Sequence, residues 1–134
     1  MLLKKWDDIP QKMKNEYVRE YFEVLNKKRL SLFFKRVFDL VTATIMLLIL
    51  SPVFLVVSIL IKIDSKGPIM YRQIRVTQYG KKFKIFKFRT MVDNADGIGS
   101  KITIKNDTRI TKIGVFLRKL RLDEIPQLLN IIAG

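Results

Sequence analysis

The residues that could do chemistry gather near the end of the chain. Asp123 and Glu124 stand side by side in Arg121-Leu122-Asp123-Glu124-Ile125-Pro126-Gln127-Leu128-Leu129-Asn130, in a sequence with no His and no Cys. The commonest general base and the thiol nucleophile are therefore absent. Chemistry falls to carboxylates, hydroxyls, lysines or a bound ion, and a carboxylate pair can supply a covalent nucleophile or ligands for a hard cation. Arg118, Lys119 and Arg121 lie just upstream and add cationic partners for an anionic ligand. Asp123 reads as the N-cap of a helix with Pro126 in its first turn and Leu128, Leu129, Ile131 and Ile132 on its apolar face. The same spacing also describes an ordinary capping Asp followed by a solvated Glu. The pair alone does not separate these readings.

Such a pair needs a scaffold, and the chain supplies an unusual one. From Leu40 to Ile61 no residue is charged, and Leu, Ile and Val dominate. A run of roughly 20 apolar residues suffices to cross a bilayer as a helix. Ser51-Pro52 interrupts it near the middle, and a proline in a helix interior kinks it. Basic residues flank both ends: Lys27, Lys28, Arg29, Lys35 and Arg36 before, Lys62, Lys66, Arg72 and Arg75 after. Positive flanks favour the cytoplasmic side at both ends. A helix that enters the bilayer, turns at Ser51-Pro52 and leaves by the same face meets both observations. Each arm of about 10 residues reaches about 15 Å, half the hydrocarbon thickness. An ordinary kinked transmembrane helix remains the alternative from these residues alone.

The balance of 26 Lys and Arg against 12 Asp and Glu gives a net charge of +14 over 134 residues. That charge suits anionic lipid, phosphorylated substrates or nucleic acid. The expected fold class is α+β, mainly helical, in three parts. Residues 1–30 form an amphipathic N-terminal segment with Trp6, Tyr17, Val18, Tyr21, Phe22 and Leu25 on one stripe. Residues 31–63 form the membrane helix, with Lys35 and Arg36 at its interface and its kink at Ser51 and Pro52. Residues 64–134 form a small domain with short strands, a polar, loop-rich stretch over 92–116, and terminal helices. Lys81 to Arg89 interleave cations with aromatics. As a strand this segment puts Phe83, Ile85, Lys87 and Arg89 on one face and Lys84, Phe86, Phe88 and Thr90 on the other. Such interleaving serves a solvated amphipathic strand or a single-stranded nucleic acid. Asp107, Arg109 and Thr111 read as turn and pairing residues.

The ordered set of motifs resembles a known family. Lys35-Arg36 with Asp39, the apolar run with Ser51-Pro52, Gly67-Pro68, Gln73, Arg75 and Gly80 are followed by Lys87-Phe88-Arg89-Thr90-Met91. Asp107-x-Arg109-x-Thr111, Gly114, Arg118 and Asp123-Glu124-x-Pro126-Gln127-x-x-Asn130 complete the series. Over about residues 30–134 it is similar to the bacterial sugar transferases, the monotopic polyprenyl-phosphate phosphoglycosyl transferases. The resemblance implies transfer of a sugar phosphate from a UDP-sugar to polyprenyl phosphate with release of UMP, assisted by Mg2+. It further implies that Asp123 is the nucleophile of a covalent phosphosugar intermediate and that Glu124 serves the metal. By charge, Lys87, Arg89, Arg109 and Arg118 become candidate phosphate partners. It also implies a re-entrant membrane helix at the cytoplasmic face of a bacterial membrane, in contact with anionic inner-leaflet lipid, and no nucleic acid.

Two departures are visible. Thr77 stands where many members of that family carry glycine. Members also continue past the position of Gly134, through a Pro-Arg-Pro-like motif at the phosphate or nucleotide site. The chain is thus expected to be the N-terminal portion of an enzyme, its last helix uncovered and open to homo-oligomer formation. A truncated relative acting as a binding module, and a membrane-tethered nucleic-acid binder, are the competing classes.

Overall fold

The computed structural model describes residues 3–77, 79–98, 104 and 107–134, which form a mainly helical α+β fold with one small sheet. Of the loop-rich stretch 92–116, residues 99–103, 105 and 106 lie outside the described residues. Two 3-10 turns, Trp6–Asp8 and Gln11–Met13, lead into α1, Glu16–Lys27. Asn15 caps α1 by accepting from the Val18 amide at 2.9 Å. Trp6 packs edge-on against Phe22, ring centroids 5.2 Å apart, while Tyr17 and Tyr21 stay exposed.

The uncharged run folds as α2, Arg29–Ile49, and α3, Ser51–Asp64, bent by 59° at the break between them. The cause is local. Pro52 has no N–H to give the Leu48 carbonyl four residues back, and the Ser51 hydroxyl donates to that carbonyl instead, at 2.8 Å. Among the described residues no single helix is long and apolar enough to cross a membrane, whereas the bent pair together meets that test of length and composition. Leu48, Ile49 and Leu55, around the bend, are all exposed.

β1, Met70–Val76, pairs antiparallel with β2, Lys82–Phe88, with Met70 opposite Phe88 and Val76 opposite Lys82. Thr77 organises the connecting turn, its hydroxyl accepting from the Tyr79 and Lys81 amides at 3.3 and 3.2 Å. Gly80 supplies the positive φ of 74° there. The short α4, Ala95–Ile98, then α5, Lys112–Lys119, a 3-10 turn at Leu122–Glu124 and α6, Gln127–Ala133, complete the order.

The core lies where these pieces meet. Val57 and Ile61 of α3, Phe88 of β2 and Leu117 of α5 bury one another, with Phe54, Ile69, Ile113, Leu122 and Ile125 packed around them. Each large side chain so buried contributes about 1.5–3 kcal/mol. Two hydrogen bonds fix α5 at its start. Thr111 accepts from the Gly114 amide at 3.0 Å, and Asp64, the last residue of α3, accepts from the Ile113 amide at 3.0 Å. Gly114 is required here, because a Cβ would stand 2.0 Å from the Thr90 carbonyl oxygen.

The last helix is not left uncovered. α6 packs along α2 and β2, so that Leu128, Leu129 and Ile132 are half-buried. Arg36 of α2 donates to the Ile131 and Ile132 carbonyls at 2.6 and 3.1 Å, closing the C-terminal end of α6. Lys35 pairs instead with Asp39 on its own helix. Asn130 meets the outer edge of β2. Its Oδ1 accepts from the Phe86 amide at 2.9 Å and its Nδ2 donates to the Lys84 carbonyl at 2.8 Å, the pair of bonds a third strand would make.

Candidate active site

The carboxylate pair does not open a helix as its spacing suggests. Asp123 lies inside the 3-10 turn Leu122–Glu124, and α6 begins after Pro126 without a side-chain cap. The proline explains the shift: it has no N–H for the Leu122 carbonyl, which accepts from Ile125 instead, at 3.2 Å. Arg121 enters the turn in the left-handed conformation, φ 58°. The effect is to bury Asp123 while Glu124 stays half-exposed beside it. Asp123 Oδ1 is buried and has no hydrogen-bond partner among the described residues.

These residues form one wall of a cavity of about 850 Å³. β2 and the residues just after it supply Lys87 and Arg89, and the end of α5 and the turn after it supply Arg118, Lys119 and Arg121. Five cations thus face three carboxylates, Asp93, Asp123 and Glu124, so the cavity favours an anionic guest. Lys87 Nζ binds Glu124 Oε1 at 2.9 Å, with Arg121 at 3.8 Å on the same oxygen. The Lys87 hydrogen bond holds the Glu124 carboxyl below its ordinary value; burial opposes the shift, and the charges of Lys87 and Arg121 and a bond from Gln127 reinforce it. Arg118 is aimed by a bond from its Nε to the buried Thr90 hydroxyl at 2.8 Å. Arg89, almost fully buried, is tied by Nη2 to the carbonyl and hydroxyl of Ser65 at 2.7 and 2.8 Å.

The model of the bacterial sugar transferase family matches residues 30–134. The chain belongs to that family. Among relatives, it is 45% identical over 106 residues to the exopolysaccharide production protein PSS of Rhizobium leguminosarum bv. phaseoli, covering 78% of this chain and 53% of that protein. It is 44% identical over 101 residues to a UDP-glucose:undecaprenyl-phosphate glucose-1-phosphate transferase of Escherichia coli, covering 75% of this chain and 22% of the relative. A Bacillus subtilis protein named as a putative undecaprenyl-phosphate N-acetylgalactosaminyl 1-phosphate transferase is 42% identical over 113 residues, covering 84% and 63%. The chain spans about half the length of the Rhizobium relative and about a quarter of several others.

In this member of the family, five candidates from the sequence share the cavity wall: Lys87, Arg89, Arg118, Asp123 and Glu124. Arg109 does not line it. Its guanidinium forks onto both oxygens of Asp107, at 2.9 and 2.6 Å, and donates to the Ala95 carbonyl at 3.0 Å. That fork holds the Asp107 carboxyl well below the usual carboxylate range and ties the loop before α5 to α4. Asp93 and Tyr71 line the cavity without having stood out in the sequence. The sequence signal for Asp93 was only the turn-prone pair Asp93-Asn94, and Asn94 takes the left-handed conformation, φ 59°. Among the described residues no cluster of three or more His, Cys, Asp or Glu could hold a metal. A magnesium ion asks less of the protein, usually one or two carboxylates plus substrate phosphate oxygens.

Proposed function

We propose that this chain carries the chemistry of transfer of a sugar 1-phosphate from a UDP-sugar to polyprenyl phosphate, releasing UMP. One observation supports it above all: a buried Asp123 carboxylate with an unpartnered oxygen, in a cavity that gathers five cations. Asp123 attacks the phosphorus that bears the sugar. An Asp–O–P bond forms, the bond to the UMP oxygen breaks, and UMP leaves as its phosphate. An oxygen of the acceptor phosphate then attacks the same phosphorus, and the carboxylate is returned. Neither step needs a proton, which suits a site without histidine.

Lys87 and Arg118 are assigned to the donor phosphates, since both are held in place at the cavity wall beside the carboxylate pair. Glu124 is assigned to Mg2+: ionised carboxylate and diphosphate oxygens are the hard donors that ion prefers, and it would neutralise phosphate charge. The α2–α3 pair is assigned to a re-entrant element in a bacterial cytoplasmic membrane. The 59° bend and the exposed apolar residues around it support that assignment. Residues 64–134 then face the cytoplasm above anionic lipid headgroups.

The test incubates the chain in detergent with Mg2+ and UDP-glucose or UDP-N-acetylgalactosamine. Intact mass spectrometry should find a hexose-phosphate or N-acetylhexosamine-phosphate adduct at Asp123. The Asp123→Asn variant should give none while keeping its membrane partition. An undiminished adduct in that variant would remove Asp123 from the role.

A further inference from the structure

Arg89 lines the same cavity as Asp123 and Glu124 yet differs from the other cations there. Only 6% of it is exposed, and both Nε and Nη1 are buried without a hydrogen-bond partner among the described residues. Its remaining nitrogen, Nη2, is held by Ser65, the residue that follows the last turn of α3. The guanidinium therefore sits where the chain leaves the apolar helix pair. Lys87 is already engaged by Glu124, on the other side of Phe88 in sequence. Space for the guanidinium is made by Gly67, whose φ is 118° and whose absent Cβ would fall 2.0 Å from Nη1. Asp93 approaches the same point, its Cγ 2.9 Å away, but gives neither free nitrogen a hydrogen bond.

A buried guanidinium with two unmet donors is costly unless an anion completes it. Planar, permanently charged Arg is the residue type matched to phosphate oxygens. We propose that Arg89 binds the phosphate of the lipid-borne acceptor, an amphiphilic phosphate monoester whose tail lies along α3, and does not serve the nucleotide donor. This rests on the phosphosugar-transfer reading above and divides the cavity by its two substrates. The donor meets Asp123 among Lys87 and Arg118; the acceptor arrives at the end of α3 and is held by Arg89. In the second step its phosphate oxygen bonds to the adduct phosphorus as the Asp123 O–P bond breaks.

Two readouts test it. With farnesyl phosphate as acceptor, Arg89→Lys should raise its KM at least tenfold while Asp123 adduct formation from the UDP-sugar stays within twofold of the parent. Native mass spectrometry, without UDP-sugar, should find one farnesyl phosphate retained by the parent and lost in Arg89→Lys. Excess UMP, inorganic phosphate and phosphatidylglycerol should not displace it. If Arg89→Lys fails to fold, Ser65→Ala, which loosens the guanidinium and keeps its charge, should weaken farnesyl phosphate retention and spare adduct formation. Adduct formation falling in step with acceptor use, acceptor binding indifferent to Arg89 and Ser65, or displacement by any of the three competitors would each overturn the assignment. Retention that depends on Arg89 in a chain forming no Asp123 adduct would instead refute the donor step alone.

Discussion

Asn130 lies seven residues after Asp123, and replacing it should loosen the whole site. It spans from α6 to the outer edge of β2 by two bonds of 2.9 and 2.8 Å. Asn130→Ala removes both. A hydrogen bond contributes about 0.5–1.5 kcal/mol net, and the half-buried Phe86 amide, unlike the exposed Lys84 carbonyl, is left without ready access to water. The expected loss is about 2 kcal/mol, or about 6–10 °C in melting temperature for a chain of this size. Differential scanning fluorimetry in detergent measures it. Asn130→Asp adds a sign test, because its carboxylate keeps the Phe86 bond but sets a second acceptor against the Lys84 carbonyl. Its deficit should be at least as large at neutral pH and shrink in acid, when the protonated carboxyl can donate. Because the clamp holds β2, which carries Lys87, beside the chain that carries Glu124, both variants should also form the Asp123 adduct more slowly. A melting temperature for Asn130→Ala within about 2 °C of the parent would refute the reasoning, since it would make the clamp energetically silent.

Two further outcomes follow from the same geometry. Pro52→Leu restores the amide that Leu48 lacks and should straighten the helix pair, carrying residues 64–134 across the bilayer. The cysteine-free chain makes thiol labelling of a Lys112→Cys reporter in sealed vesicles a clean measurement, and labelling unchanged by Pro52→Leu would deny the proline that role. Lys87→Met removes the main cause of the lowered Glu124 pKa, which should move back toward its ordinary value of 4.5. A depressed carboxyl stabilises above that value and loses the contribution as pH falls through the folded pKa. The stability gap between parent and variant, under about 1 kcal/mol for so exposed a pair, should therefore narrow as pH drops below 4.5, and a gap independent of pH would contradict the assigned cause.

What the sequence made legible was chemistry that acts within a few residues. Ser51-Pro52 announces a bend because the lost amide, the orphaned carbonyl and the rescuing hydroxyl all fall within one turn. Alternation along β2 set Phe88 on the face opposite Lys87 and Arg89; Phe88 is in the core, yet it lines the cavity together with both cations, because β2 ends at Phe88 and burial is continuous over 88–90. The capping role given to Asp123 failed because Pro126 denies a bond one turn back, which shortens the turn and starts the helix later. Arg109 resembled a phosphate ligand by charge alone, but its nearest acid, two residues away, claims it first.

The partners that matter most lie far off in sequence and end on backbone carbonyls, which carry no side-chain signature. Arg36 reaches the end of α6 across 95 residues, Asn130 reaches β2 across 46, and Arg89 reaches Ser65 across 24. Those bonds, with the core shared by α3, β2 and α5, join the apolar helix pair directly to the cavity wall. Val57 and Ile61 pack on Phe88, which stands between Lys87 and Arg89, and Leu117 precedes Arg118. On the re-entrant reading, the bend therefore sets the height of Asp123 above the bilayer through close packing, with no flexible linker between them. On the proposed mechanism, a change at Pro52 is then a change in where Asp123 stands relative to the lipid acceptor.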